Sequence, residues 1–173
     1  MRSVTTEIEV EAPPEKVLDA FLDLNTIKAW WGADRGLIER RVGGPWALAW
    51  ERSEQGFRYV ETGVIGELDP GRVLRVDNLV YFHPEHQVLG PMTLTVTVHA
   101  SSHGTWLKIE QGGYQEGSEW DWYHESVTEA WPEVAERFKE VVEKRFGVPS
   151  SKKAAPKQDK GRGPDKHKAK AGR

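Results

Sequence analysis

The sequence predicts an α+β domain: a curved antiparallel sheet of about seven strands wrapped around one long C-terminal helix, in the order strand, two short helices, six strands, helix. Much of the stretch from Leu37 to Gln111 alternates apolar and polar residues, the period of strands with one covered face. From about Glu119 the period becomes helical, with Val127, Trp131, Val134, Phe138 and Val141 recurring at steps of four and three. That stripe must lie on something, and the one-faced sheet is the partner the chain offers.

Ser3–Val10 alternates around Val4, Ile8 and Val10 and reads as the first strand. Ala12-Pro13-Pro14 stops it, and Pro14 suits the first turn of a helix, where its missing N–H has no helical partner to lose. Val17, Leu18, Phe21 and Leu22 give this short helix one buried face. Asn25 is expected to cap a second short helix over Thr26–Trp31, which Gly32 ends.

Strands are then expected at Leu37–Val42, Trp46–Arg52, Phe57–Leu68 and Arg72–Val80, separated by Gly43-Gly44-Pro45, Ser53–Gly56 and Asp69-Pro70-Gly71. Trp46, Leu48 and Trp50 share a face, as do Leu74, Val76 and Val80, whereas Phe57–Leu68 lacks clean alternation. Tyr81–Pro91 reads as irregular. Met92–Ala100 is the clearest strand, with Met92, Leu94, Val96 and Val98 inward and Thr93, Thr95 and Thr97 outward; Thr105–Gln111 pairs back with Leu107 and Ile109 inward. Pro132 is expected to kink or restart the final helix, which ends around Phe146-Gly147.

The 173 residues suit one domain, expected over residues 1–147, and 38% apolar with 29% charged residues is enough for a real core. The absence of cysteine removes disulfides, thiol catalysis and thiolate metal sites. No apolar run approaches the ~20 residues of a membrane span, and Met1–Glu11 lacks the basic-then-apolar profile of a signal peptide, so a cytoplasmic protein is expected.

Net charge of −3 conceals an asymmetry. From Val148 onward there are nine Lys or Arg and two Asp, while the body carries 15 basic and 25 acidic residues, so −10 faces +7. The tail, 148–173, has too little apolar surface to offset the entropy of ordering it and is expected to be disordered. It has no aromatic residue to stack on bases, so no specific nucleic-acid partner is expected.

Six segments carry a shared pattern: Ala12-Pro13-Pro14-Glu15-Lys16-Val17, Ala29-Trp30-Trp31-Gly32, Gly43-Gly44, Gly63-Val64-Ile65-Gly66-Glu67-Leu68-Asp69-Pro70, Ile109-Glu110-Gln111-Gly112-Gly113, and Tyr123-His124 with Trp131. Together these segments resemble the START-like (SRPBCC) superfamily, the helix-grip fold, in the branch related to the C-terminal domain of the activator of the heat-shock-90 chaperone's ATPase. They span about Thr5 to Phe146. Ala130 stands where such proteins carry Gly before the helix tryptophan, which implies a slightly looser approach of helix to sheet. The fold hosts carriers, receptors, cyclase-type enzymes and co-chaperone domains, so it does not by itself assign a function.

Eight tryptophans is several-fold above ordinary usage. Trp46 and Trp131 suit core packing, and Trp30, Trp31, Trp120 and Trp122 sit near element ends where a grip fold opens. The expected function is binding, without catalysis, of a small hydrophobic or aromatic molecule between sheet and helix. The two short helices and Tyr81–Pro91 would gate it, and Trp30, Trp31, Trp50, Tyr59, Trp120, Tyr123 and Trp131 would line it. One alternative is a protein-interaction domain like the co-chaperone relatives; another is a cyclase- or hydratase-like enzyme using His124 or Asp121. Glu51 and Glu110 are expected to point outward by alternation. His83 and His86, like His99 and His103, are expected at the surface, because neither pair has metal-site spacing or a third ligand. No metal, nucleotide or other cofactor is implied, since the chain has no phosphate loop or dinucleotide fingerprint. A monomer or weak dimer is expected.

Overall fold

The computed structural model describes residues 1–147, and the basic tail expected from Val148 lies outside the described residues. Along the chain come β1 (Arg2–Val10), α1 (Pro14–Asp19), α2 (Leu24–Trp31), β2 (Arg35–Ile38), β3 (Pro45–Ser53), β4 (Gly56–Asp69), β5 (Val73–Phe82), β6 (Leu89–Ala100), β7 (Thr105–Tyr114) and α3 (Ser118–Phe146). The strands form one antiparallel sheet, a meander from β2 to β7 with β1 added beside β7. This is the predicted α+β class, a curved sheet covered by a C-terminal helix.

The pattern in β6 shows why. Met92, Leu94, Val96 and Val98 are buried while the threonines between them stay half-exposed. The pairs Leu94↔Gln111, Val96↔Ile109 and Val98↔Leu107 put β7 on the same face, and a slip of one residue would turn both strands' apolar sets into water.

The cap of α2 is Asp23 rather than Asn25. Its carboxylate accepts the backbone N–H of Thr26 at 2.8 Å and the Thr26 hydroxyl at 2.7 Å, so the helix starts at Leu24. Gly32 ends it in the left-handed region at φ 74°. β2 is shorter than the predicted Leu37–Val42, because residues 39–44 close on themselves through Arg41 N–H to Glu39 O and Gly44 N–H to Arg41 O. The irregular stretch shrinks to residues 83–88, because Tyr81 and Leu89 pair across β5 and β6.

Pro132 does not interrupt α3, which runs unbroken for 29 residues. The carbonyl deprived of its partner belongs to Thr128, and both residues lie on the exposed side, where water replaces the bond.

Trp30, Trp46, Phe21 and Phe138 are among the largest fully buried side chains, and Phe138 touches Phe21 and Trp30 with ring centroids 4.9 and 5.0 Å away. The indole N–H of Trp30 donates to Ala20 O at 2.9 Å and that of Trp46 to Phe21 O at 3.0 Å, satisfying carbonyls just beyond α1. Phe138→Ala is expected to cost about 3–5 kcal/mol in urea unfolding. Trp106→Ala, at a ring 47% exposed on the outer face, is expected to cost under about 1 kcal/mol.

Candidate functional site

Strand register builds one wall of a cavity between the sheet and α3. Trp50 of β3 stands opposite Tyr59 of β4, and Glu61, two residues on and therefore on the same face, stands opposite Tyr81 of β5. Trp31 of α2 closes one side, its ring 5.4 Å from Trp50 and 5.3 Å from Trp131 of α3. The Trp50 indole N–H donates to the carbonyl of Trp31, the last residue of α2, at 3.2 Å. The cavity volume is about 60 Å³, and the cavity is partly open to solvent. Half-buried Ser126, Val127, Ala130 and Val134 form its α3 side.

At the inner end lies a buried polar group. The Tyr123 hydroxyl donates to Glu61 Oε1 at 3.0 Å and accepts from Gln111 Nε2 at 3.3 Å. The Tyr81 ring stacks on Tyr123 at 4.5 Å, and its own hydroxyl is buried with no hydrogen-bond partner among the described residues. Among the described residues no Lys, Arg or His lines the cavity.

Burial therefore pushes the Glu61 carboxyl up from its usual 4.5 to about 7, with the Tyr123 hydrogen bond pulling the other way. Burial, reinforced by the charge of Glu61, raises the Tyr81, Tyr114 and Tyr123 phenols, so all three stay neutral near pH 7.

Beside this end sits a second cluster. His86 stacks on Trp122 at 3.6 Å and its Nδ1 lies 2.8 Å from Glu119 Oε2, which fastens residues 83–88 to the start of α3. His83 is buried, its Nδ1 accepting the Glu85 backbone N–H at 3.1 Å and its ring 5.1 Å from Tyr59. Both depart from the surface placement expected of them, because Trp122 provides an aromatic seat that the local sequence does not reveal. His99 and His103 are exposed. Among the described residues no group of three or more His, Asp or Glu could hold a metal ion.

Of the residues expected to line a pocket, Trp31, Trp50, Tyr59, Tyr123 and Trp131 meet around this cavity. Trp30 lies behind it, stacked on Trp31 and packed against Phe21 and Phe138; Trp120 packs edge-on to Tyr114. His124 stands edge-on to the far ring of Tyr114, and exposed Asp121 pairs with Arg2 at 2.7 Å, so neither acid–base candidate enters the cavity. Glu110 points outward to Lys108 at 2.9 Å, and half-buried Glu51, in the left-handed region at φ 53°, lies 3.8 Å from Arg58.

Glu61, Tyr81 and Gln111 escaped the sequence reading. A signal existed: stepping back by twos from buried Ile65 reaches Gly63, Glu61 and Tyr59, all of them buried.

Sheet, helix and cavity together define a helix-grip domain. The sequence profile of the family described as Activator of Hsp90 ATPase homolog 1-like protein matches residues 11–143, and the chain belongs to that family. Among solved structures it is similar to protein CV1439 from Chromobacterium violaceum, at 24% identity and TM-score 0.65 over 83% of this chain and 99% of that one. It is also similar to the AHSA1 protein SPO3351 from Silicibacter pomeroyi, at 16% identity and TM-score 0.65 over 84% and 100%. The Aha1 dimer from Colwellia psychrerythraea follows at 15% identity and TM-score 0.60 over 83% and 97%. At these identities the likenesses show the fold. No curated protein matches the chain. Among the described residues no helix is long and apolar enough to cross a membrane.

Glu61 carries a pH signature. It ionises near 4.5 when unfolded and near 7 when folded, so the protonated form favours the fold and stability falls as pH rises through that window. Glu61→Gln removes this dependence. Its stability relative to the parent is expected to rise between pH 4.5 and 8 by up to about 3 kcal/mol, at roughly 1.4 kcal/mol per unit, as read by urea unfolding at each pH.

Proposed function

We propose that this domain binds, without catalysis, a small ligand with an apolar body and one polar group in the cavity between β3–β5 and α3. The observation that carries this is the cavity itself: an aromatic box with a buried carboxylate at its inner end and an unpaired phenol beside it. A region serving only as filler would gain by carrying apolar side chains in place of these groups, since each buried polar atom without a partner costs free energy.

The volume narrows the ligand. About 60 Å³ is less than half of the ~150 Å³ that admits benzene in an engineered apolar cavity, and far below the roughly 300–1,000 Å³ of sites for drug-sized molecules. A fused aromatic or a whole acyl chain does not fit. A group of a few heavy atoms does, with any larger remainder passing out along the half-buried α3 side. Binding is favoured over catalysis because Glu61 has no second group titrating near neutral pH within the cavity to complete a proton relay.

The co-chaperone-like alternative rests on the outer face of the sheet. There Val60 pairs with Phe82, and Val64 and Phe82 are each 40% exposed, an apolar surface suited to a protein partner.

Tryptophan fluorescence and thermal-shift titrations with short alcohols and amines, set against phenol, palmitate and a flavonoid, separate the two. The small compounds are expected to quench saturably and raise the midpoint. Val127→Phe, which fills the cavity from α3, is expected to abolish both effects. No shift with any compound, in a protein that folds, would leave the outer face as the functional surface.

A further inference from the structure

Resting on the cavity as a binding site, we propose that its ligand is a small organic cation: a primary or methylated ammonium group held by Glu61 and by the aromatic rings around it. The composition of the wall points there. Trp31, Trp50, Tyr59, Tyr81, Tyr123 and Trp131 supply six rings, and Glu61 supplies the only formal charge among the described residues that line it. Aromatic faces are negative and attract cations within about 6 Å of the ring centre, most strongly where water is excluded. The same faces repel a carboxylate. Glu61 is thus enclosed by groups that disfavour its ionised form, and a cation among them satisfies both the rings and the carboxylate.

Among the described residues nothing already fills that role. Among them Glu61 makes no ion pair, and the hydrogen bond it makes is the one its Oε1 accepts from Tyr123. An ammonium N–H can donate to Oε2 and to the unpaired hydroxyl oxygen of Tyr81.

An anion finds the Tyr81 O–H but no charged donor and no other free N–H among those that face the polar group. The Trp50 N–H is committed to the Trp31 carbonyl, the Tyr123 O–H to Glu61, and the Gln111 amide to Tyr123 and to the Met92 sulfur at 3.5 Å. An anion would also lie beside a carboxylate. At long range the body is acidic, with 25 acidic and 15 basic residues before Val148, which concentrates cations and excludes anions around it. The small volume matches an ammonium bearing a few carbons.

Cation binding requires ionised Glu61, so the two are linked. Glu61 is faced by Tyr59 on its own strand, Tyr81 on β5, Tyr114 on β7 and Tyr123 on α3, with His83 beyond Tyr81 at 6.2 Å between ring centres. The Tyr81, Tyr114 and Tyr123 phenols are raised and stay neutral, whereas burial lowers His83 from its usual 6.5, so His83→Gln is the background that isolates Glu61.

The test uses the full chain at constant ionic strength, following tryptophan fluorescence with tetramethylammonium, with choline and its neutral isostere 3,3-dimethyl-1-butanol, and with phenol. Expected are saturable binding of both cations at pH 8, about tenfold or more weaker binding of the neutral isostere, and a loss of about tenfold or more in Glu61→Gln. If Glu61→Gln fails to fold, the His83→Gln protein decides: cation affinity should fall about tenfold per unit as pH drops below 7. Equal binding of choline and its neutral isostere would overturn the cation while leaving the cavity a binding site. Cation binding unaltered by Glu61→Gln would overturn it as well. Silence from all four compounds would overturn both proposals together.

Discussion

One helix has to cover the inner face of seven strands. At ~4.8 Å per strand spacing the sheet is roughly 29 Å across, and a helix with its side chains is only ~10–12 Å wide. α3 lies against β1 and α2, and α1 against β6 and β7, so the rest of the face must be reached by curvature and by large side chains. That is the physical use of so many tryptophans. Trp30 and Trp46 fill the space behind α2, and their indole N–H groups satisfy carbonyls where the short helices end. Where this filling stops, between β3–β5 and α3, the cavity remains.

A carboxylate at the bottom of such a gap is costly, since burial disfavours its charge and one hydrogen bond from Tyr123 offsets only part of that. The same bond is a direct polar tie between α3 and β4, so the feature that strains the fold also sets the helix in register over the sheet. Loss of stability at neutral pH and reception of a cation are two consequences of one buried group. The cavity wall around it supplies phenols held neutral rather than a second charged group.

The architecture was legible where one face is fully apolar and the other fully polar. β6, with threonines between Met92, Leu94, Val96 and Val98, could be placed and oriented from sequence alone. Position at element ends was a poor guide to the cavity's tryptophans: of Trp30, Trp31, Trp120 and Trp122 the cavity holds Trp31, while Trp50 and Trp131 come from within a strand and a helix. Glu61 was not legible, because β4 carries Val60 and Val64 on its outer face and Gly63 on its inner one, which blurs the period of two. Asp23 and Asn25 both suit a cap, and only the reach of Asp23 to Thr26 decides between them. His83 and His86 were misplaced because their burial is owed to Trp122, distant in sequence. In each case the missing information was tertiary: which neighbour meets a residue rather than what the residue is.

Following the Glu61 carboxyl carbon by NMR through a pH titration of the unliganded protein tests the central claim most directly. An enclosed, unpaired carboxylate predicts a midpoint near 7. A midpoint near the ordinary 4.5 would show the group solvated or paired, and would contradict the buried site from which both proposals follow.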